Sequence, residues 1–308
     1  MNIIPIAFAF DNNLVMPACI CISSLMMNAK EDTFYDIFIL HSASENLNKF
    51  NLDRIPSYYK NCRIQYRTVG DEFDGAFEIR GITTPAYYRL LIPELIPEYD
   101  KIIYSDVDVV FRNDLGDIYN TDISGYYMGG VNSVAHMDND TNRYYAELGL
   151  DAKHIIYSGN LIINSREIIK DNIIARFREL RDRKLKFQDM DMINIVCQGK
   201  IKYLPPQFCW TNYINKYAVE QNPQLLEVFT EEDIHLAKNK GLVHYNGQKP
   251  WKGYCVNFDI WWEYYRKSPF FDEKFYFDFF YNKLDELDQL PLIKRIKILV
   301  RYFVYGKK

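Results

Sequence analysis

The chain has 308 residues, of which 48% are hydrophobic and 25% charged, and its formal net charge is −4. This composition belongs to a globular protein with an extensive core, and it excludes a repeat array or a chain built on Pro/Gly/Ser-rich linkers. The last 18 residues hold six Lys or Arg and no acid, so the body before them is more acidic than the net charge suggests, and we expect no nucleic acid as its main ligand.

The first part of the chain alternates predicted strands with predicted helices. Residues 3–10, IIPIAFAF, are predicted to form a strand and not a signal peptide, because no basic segment precedes them and no small-residue cleavage site follows. Helices are then predicted over 17–29, 45–55 and 84–92, and strands over 35–43, 62–69 and from 101 onward. This alternation predicts βαβ units and a largely parallel sheet covered on both faces.

The second part of the chain is less regular. Strands are predicted over 126–134 and 158–165, followed by one long amphipathic helix over 166–184 and a helical segment, FQDMDMIN. The sequence then becomes rich in aromatic residues and ends in a basic tail. We therefore predict a single α/β domain over residues 1–253 and a helical extension over residues 254–308.

The basic tail has the pattern of an amphipathic helix. Apolar residues recur at helical spacing, and basic residues lie mostly away from them: Leu292, Ile296, Leu299 and Phe303 against Lys294, Lys297 and Arg301. Such a helix either lies on a membrane surface or docks on the domain with its basic residues in solvent. No stretch reaches 18 uninterrupted apolar residues, so no membrane-spanning helix is predicted.

The six cysteines show neither a CxxC pair nor the spacing of a zinc site. Most of them lie among apolar neighbours, which favours buried free thiols over disulfides. We therefore expect a reducing, cytoplasmic location.

Two aspartates interrupt the apolar run KIIYSDVDVVFRNDL. An ionised carboxylate buried in such a strand costs several kcal/mol unless it is paired, protonated or bound to a metal. Asp106 and Asp108 are two residues apart, so on a strand both side chains face the same way and reach one cation. The alternative is a strand end at which both carboxylates are solvated.

The same Asp-x-Asp spacing occurs twice more, at 138/140 and 189/191. The first of these pairs lies in a polar loop that lacks the glycine and the final acid of a calcium loop, so we reject it as a calcium site. In the second pair, helical geometry lets only one of Asp189 and Asp191 face a site. Capping of that helix by Asp189 is the structural alternative.

Other polar groups lie near predicted strand ends. Asp11, Asn12 and Asn13 follow the first strand, and ligands of open α/β sheets bind beyond the carboxyl ends of strands. His244 lies in a glycine-containing loop shortly before Lys249, which suits an imidazole on a metal and an ammonium on a phosphate. Arg89 is either a salt-bridge partner or an anion ligand.

Six stretches together resemble glycosyltransferase family 8, which includes glycogenin and bacterial lipopolysaccharide galactosyl- and glucosyltransferases. They are AFAFDNN, ITTPAYYRLL, KIIYSDVDVVF, YSGNLIINS, FQDMDMIN and VHYNGQKPW, in the family's order over residues 3–252. The resemblance implies a GT-A type, Rossmann-like domain with a mixed, largely parallel sheet and a helical C-terminal extension. It also implies a retaining transfer of galactose or glucose from a UDP-sugar to a glycan or glycolipid.

The resemblance further implies a role for each matching residue. Asp106, Asp108 and His244 are expected to bind Mn²⁺ or Mg²⁺; Ala9, Asp11 and Asn13 the nucleotide; Arg89 and Asp189 the donor sugar; Gly247 and Lys249 the diphosphate. Met190 stands where the lipopolysaccharide enzymes often have a glutamine, a candidate nucleophile, and this difference favours front-side attack. Asp189 and Asp191 remain candidate catalytic residues, with Met190 marking the position between them.

Two other functions stay open at this point. One is a UDP-sugar-binding protein with little or no turnover, which the methionine at position 190 keeps in consideration. The other is a glycoside hydrolase that uses paired carboxylates. A lipid-linked acceptor would also suit a tail in peripheral contact with the cytoplasmic face of a bacterial inner membrane.

Overall fold

The computed structural model describes residues 2–78 and 83–305. Its strands are β1 (Asn2–Ala9), β2 (Thr33–Ser42), β3 (Cys62–Val69), β4 (Lys101–Ser105), β5 (Val109–Val110), β6 (Met128–Asn132), β7 (Ile156–Asn164), β8 (Ile201–Leu204), β9 (Trp210–Thr211) and β10 (Val243–His244). Its α-helices are α1 (Val15–Met27), α2 (Ile55–Tyr58), α3 (Ile92–Leu95), α4 (Gly116–Tyr119), α5 (Asn139–Glu147), α6 (Ser165–Lys170), α7 (Ile173–Glu179), α8 (Gln188–Val196), α9 (Asn212–Val219), α10 (Glu231–Lys240), α11 (Phe258–Lys267), α12 (Glu273–Asp288) and α13 (Leu292–Tyr305).

Seven strands form the main sheet in the order β3-β2-β1-β4-β7-β6-β8. All neighbouring pairs are parallel except those made by β7, which runs antiparallel to β4 and β6. Successive residues of β1, including Ile6, Ala7 and Phe8, are fully buried, as expected for a central strand covered on both faces. The predicted mixed, largely parallel sheet is confirmed.

A second sheet of three short strands has the order β5-β10-β9, with β10 antiparallel to β5 and parallel to β9. The single strand predicted from Lys101 onward is therefore wrong. The chain leaves the main sheet after Ser105, which pairs with Asn160, and enters the small sheet at Val109, which pairs with His244. Asp106 and Asp108 lie in the bend between the sheets. Their carboxylates therefore do not take positions on a sheet face that apolar side chains would fill.

Arg112 fixes the position of the small sheet. Its guanidinium donates to the carbonyl oxygens of Ala237, Lys238, Asn239 and Gly241 at the end of α10. A cation is favourable there because the last carbonyls of a helix lack helical partners and carry partial negative charge. This contact holds the segment that leads directly into β10 and its histidine.

Two predicted helices differ from the structure. Residues 45–51 are not helical, because the side chain of Asn12 accepts from Asn48 N at 2.7 Å and donates to the carbonyl of Asn46 at 3.0 Å, which holds the segment as a loop. The helix predicted over 166–184 is two helices, α6 and α7. Asn172 breaks it with a φ of +53°, a left-handed conformation that asparagine tolerates better than most residues.

The helix predicted over residues 84–92 is present in a different form. Thr84–Leu91 is a 3-10 helix that continues into α3. Prolines fall in the first turn of both segments, where a missing N–H costs no helical hydrogen bond. This segment carries Arg89 on its buried side.

The chain divides into two compact units, residues 1–246 and 247–308. Helices α11 to α13 belong to the second unit, in which Trp261, Trp262 and Tyr265 are buried. The boundary predicted after residue 253 stays a prediction.

All six cysteines are free thiols, and five of them are buried. Within the part of the chain that the structure describes, no helix is long and apolar enough to cross a bilayer.

The tail forms the predicted helix, α13. The four apolar residues of its predicted stripe are all exposed: Leu292, Ile296, Leu299 and Phe303. Contact of this helix with a membrane stays a prediction.

A buried carboxylate stabilises one side of the main sheet. Asp36 on β2 is fully buried and accepts two hydrogen bonds from Arg63, both of 2.6 Å, and others from Gln65 at 2.8 Å and Tyr99 at 2.7 Å. Burial alone would raise the pKa of Asp36, but these hydrogen bonds outweigh it and hold the pKa below its usual value. The ionised carboxylate therefore stabilises the folded state.

We expect Asp36→Asn to lower the free energy of unfolding by about 2–3 kcal/mol at neutral pH, because it weakens charge-assisted hydrogen bonds at a buried site. The stabilisation by Asp36 is fully present above its unfolded-state pKa of about 3.9 and is lost as the pH falls through the lower folded-state pKa. The difference between wild type and variant should therefore shrink below about pH 4. Urea unfolding at several pH values measures it. Asp53→Asn, at an exposed aspartate bonded to Tyr66, is the control. An unchanged stability at neutral pH would contradict the prediction.

Candidate active site

Three predicted metal ligands converge at the bend between the two sheets. Nε2 of His244 lies 3.4 Å from Oδ1 of Asp108 and 3.7 Å from Oδ2 of Asp106. One ligand atom from each residue lies within 4.8 Å of the others. Carboxylate oxygens with one imidazole nitrogen form a donor set that suits Mn²⁺. The residues present therefore fit a divalent cation.

The charge on His244 is set by its carboxylate neighbours. Burial alone would lower the pKa of His244, but the carboxylate of Asp108 and a contact from Cys209 raise it to about 10. The ring therefore carries a positive charge beside the two carboxylates. Ligation through Nε2 would need the neutral ring, so His244 would have to give up that proton to hold a divalent cation.

The two carboxylate oxygens of Asp106 have different partners. Nη2 of Arg89 donates to Oδ1 of Asp106 at 2.8 Å, and the hydroxyl of Tyr104 donates to the same oxygen at 2.8 Å. The guanidinium also lies over the ring of Tyr104, 4.3 Å from its centroid. Oδ1 is thus satisfied within the protein, and Oδ2 is the oxygen that faces His244.

Asp189 and Asp191 point in different directions, as helical geometry predicts. Oδ2 of Asp189 lies 3.2 Å from Nε of Arg89, and burial raises the pKa of Asp189 to about 6 against the opposing charge of Arg89. Asp191 is fully buried and accepts from the hydroxyl of Tyr144 at 2.6 Å and from the N–H of Phe187 at 2.8 Å. The aspartate that binds the start of α8 is therefore Asp191, and the alternative in which Asp189 caps this helix is wrong.

Met190 lies between these two aspartates and is half-buried. Its side chain packs against an apolar cluster formed by Ala135, Tyr145, Leu150, Ala152 and Ile155. A thioether is at most a weak hydrogen-bond acceptor. The structure brings Asp189 to the Arg89–Asp106 pair, and it places Met190 and Asp191 against other neighbours. Catalytic roles for these three residues stay predictions.

The residues predicted to bind the nucleotide lie at the carboxyl end of β1. Ala7 pairs with Tyr104 of β4 in parallel register, so Ala9 ends its strand at the level of Asp106. The carboxylate of Asp11 accepts from the N–H of Asn13 at 2.9 Å and shapes the turn that follows. Their contacts with a nucleotide stay predictions.

Gly247 and Lys249 belong to the second compact unit and begin its first segment. Their predicted place on a diphosphate also stays a prediction. By chain position they follow His244 closely.

Gly159 on β7 is a site residue that the sequence analysis did not single out. A Cβ atom at this position would lie 2.2 Å from Cε1 of His244 and 2.7 Å from Oδ2 of Asp106. The carbonyl of Gly159 also accepts from the N–H of Asp106 at 2.8 Å. A glycine inside a predicted strand is a known sign of close backbone approach, and that sign was available in YSGNLIINS.

Comparison with known proteins identifies the family. The model of glycosyl transferase family 8 matches residues 5–255 of this chain. The chain belongs to this family. Family membership supports a transferase, and it agrees with the resemblance carried by the six sequence stretches.

Individual relatives of this family 8 chain are distant. A relative from Haemophilus influenzae is 28% identical over 217 residues, which are 68% of this chain and 63% of the relative, so the chain spans less than two thirds of that protein. The lipopolysaccharide 1,2-glucosyltransferase of Escherichia coli is 22% identical over 86% of this chain and 78% of its own length.

The solved structure of the galactosyltransferase LgtC, in complex with donor and acceptor sugar analogues, has a TM-score of 0.71 and 21% identity. The alignment covers 88% of this chain and 98% of LgtC. The fold of this family 8 chain is therefore the GT-A fold, as the resemblance implied.

Proposed function

We propose that this family 8 protein is a retaining, metal-dependent hexosyltransferase that moves glucose or galactose from a UDP-sugar to a glycan or glycolipid. The observation that carries the proposal is the convergence of Asp106, Asp108 and His244 beside the Arg89–Asp189 pair. This donor set favours Mn²⁺, with Mg²⁺ as the second choice. A diphosphate is the leaving group that needs such a cation.

The residues at this site would bind the cation or the donor sugar. A bound divalent cation supplies Lewis-acid stabilisation of the negative charge on the departing UDP. Arg89 holds Oδ1 of Asp106 and so directs Oδ2 toward the metal position. The Arg89–Asp189 pair presents a carboxylate and a guanidinium for the hydroxyl groups of the hexose.

Front-side attack is the proposed route to retention of configuration. The residue between Asp189 and Asp191 is a methionine, and its thioether packs in an apolar cluster. It offers neither an amide oxygen nor a carboxylate to the anomeric carbon. The acceptor hydroxyl would then attack from the face that the UDP leaves, and the protein contributes positioning and charge stabilisation.

A glycoside hydrolase fits this arrangement less well. A hydrolase needs one carboxyl group as an acid and a second as a base or nucleophile on either side of the scissile bond. Here Asp106 and Asp189 both pair with the same guanidinium, that of Arg89. Both carboxylates are held by one internal cation, which leaves them poorly placed to act on opposite sides of a scissile bond.

Release of UDP from a panel of UDP-sugars, measured with Mn²⁺ and with EDTA, tests the proposed function. We expect release that requires the metal and prefers one hexose, because slow donor hydrolysis accompanies many transferases that lack an acceptor. Metal-dependent binding of UDP without release from any donor would instead support a UDP-sugar-binding protein. Absence of both binding and release would overturn the proposal.

A further inference from the structure

We infer that Cys209 is a positioning residue for His244, an inference that rests on the metal site of the proposed function. Sγ of Cys209 lies 3.5 Å from Nδ1 of His244. Cys209 is 0% exposed and His244 4%, so solvent has little access to this ring nitrogen. The other ring nitrogen, Nε2, faces Asp106 and Asp108.

The chemistry of a metal-binding imidazole explains why Nδ1 needs a partner. A metal ion takes the lone pair of Nε2, so the neutral ring must carry its proton on Nδ1. When Nε2 binds a metal, Sγ of Cys209 is the atom placed to accept from that N–H. The contact therefore supports the tautomer that a metal at Nε2 requires, and it fixes the rotation of the ring.

A thiol that accepts from Nδ1–H affects the ring differently from a carboxylate. Metal-bound histidines often donate to a carboxylate, which makes the imidazole a stronger ligand. A neutral thiol is a weaker acceptor and adds no negative charge to a site that already contains Asp106 and Asp108. Cys209 therefore orients the ring and leaves the charge of the site to the ligands themselves.

The local fold holds the thiol and the ring together. Cys209 directly precedes β9, in which Trp210 pairs with Val243 and Thr211 pairs with His244. Gly159 lies close to the same ring, since a Cβ there would meet Cε1. The ring is thus bounded by sulfur at Nδ1, by backbone at Cε1 and by carboxylates at Nε2. A nucleophilic role for Cys209 does not fit, because its thiol is fully buried.

Mn²⁺ affinity, measured by electron paramagnetic resonance titration of the full chain, tests this role. We expect Cys209→Ala to weaken Mn²⁺ binding about 10- to 100-fold, the usual effect of removing the outer partner of a histidine ligand. Cys209→Ser should restore most of the affinity, because a hydroxyl oxygen also accepts from Nδ1–H. Cys197→Ala, at another fully buried cysteine within the main core, is the matched control and should bind Mn²⁺ like wild type.

Nitrogen NMR of the Mg²⁺-loaded protein gives a second readout that a purely structural role would not change. We expect a sharp Nδ1–H signal of His244 that exchanges slowly with solvent in wild type, and a broader, faster-exchanging signal in Cys209→Ala. Thermal unfolding of each variant separates a loss of fold from a loss of metal affinity. Equal Mn²⁺ affinity and an unchanged Nδ1–H signal in wild type and Cys209→Ala would overturn the role of Cys209 alone. A wild type that binds neither ion would overturn the metal site itself, and this role with it.

Discussion

Asp108→Asn is expected to reduce metal-dependent UDP release by about 10³-fold or more, because Lewis-acid stabilisation of a leaving group is worth several kcal/mol and each 1.36 kcal/mol is tenfold in rate. The amide keeps the shape of the side chain but lacks the charge that attracts a divalent cation. Mn²⁺ binding should fall in parallel. Asp108 is the better position to change, because Asp106 also holds Arg89 and Tyr104, and its substitution would disturb those partners.

The protein contains a matched control for this experiment. Asp140 belongs to another Asp-x-Asp pair, is exposed, and lies in the first turn of α5. Asp140→Asn makes the same chemical change away from the cluster and should leave UDP release and Mn²⁺ binding unchanged. If Asp108→Asn retains metal-dependent release at more than a tenth of the wild-type rate, Asp108 is not a ligand that the reaction needs.

Much of the main sheet could be predicted from the sequence because strands such as β1 and β2 are long and mostly apolar. The two aspartates stood out for the same reason, since polar residues in such a run need an explanation. The bend at residues 106–108 could not be predicted locally. The sequence from Lys101 to Phe111 is strand-like throughout, and the change of sheet depends on pairing between Val109 and His244, which is distant in the chain.

The surroundings of the site were harder to predict than its ligands. Cys209 has no sequence signal of its own, because its effect depends on the parallel register of β9 and β10. Arg112 likewise has no signal, because its partners are backbone carbonyls of a distant helix. The break at Asn172 depends on one residue adopting a left-handed conformation within an otherwise good helical pattern. These features come from tertiary contacts, which local patterns do not encode.

Gly159→Ala is expected to weaken Mn²⁺ binding at least about 100-fold, more than loss of an outer partner, because the added methyl group occupies space that the ligands themselves use. A carbon 2.2 Å from Cε1 of His244 and 2.7 Å from Oδ2 of Asp106 forces both groups to move. Neither can move freely: the histidine is bounded by Cys209, and Asp106 is held by Arg89 and Tyr104. The ligand atoms of His244 and Asp106 are therefore displaced from the positions in which they converge on one cation.

Gly129→Ala is the control that separates this effect from a general cost of alanine in the main sheet. Gly129 lies on β6, and the three atoms nearest to a Cβ there belong to the side chain of Leu204, at an ordinary contact distance of 3.4 Å. This variant should keep wild-type Mn²⁺ affinity, and both variants should be compared by thermal unfolding. If Gly159→Ala folds and binds Mn²⁺ like wild type, the ligands do not need the space that this glycine provides. If it folds but loses the metal while Gly129→Ala retains it, the missing side chain is a requirement of the metal site, on the same footing as the ligands that surround it.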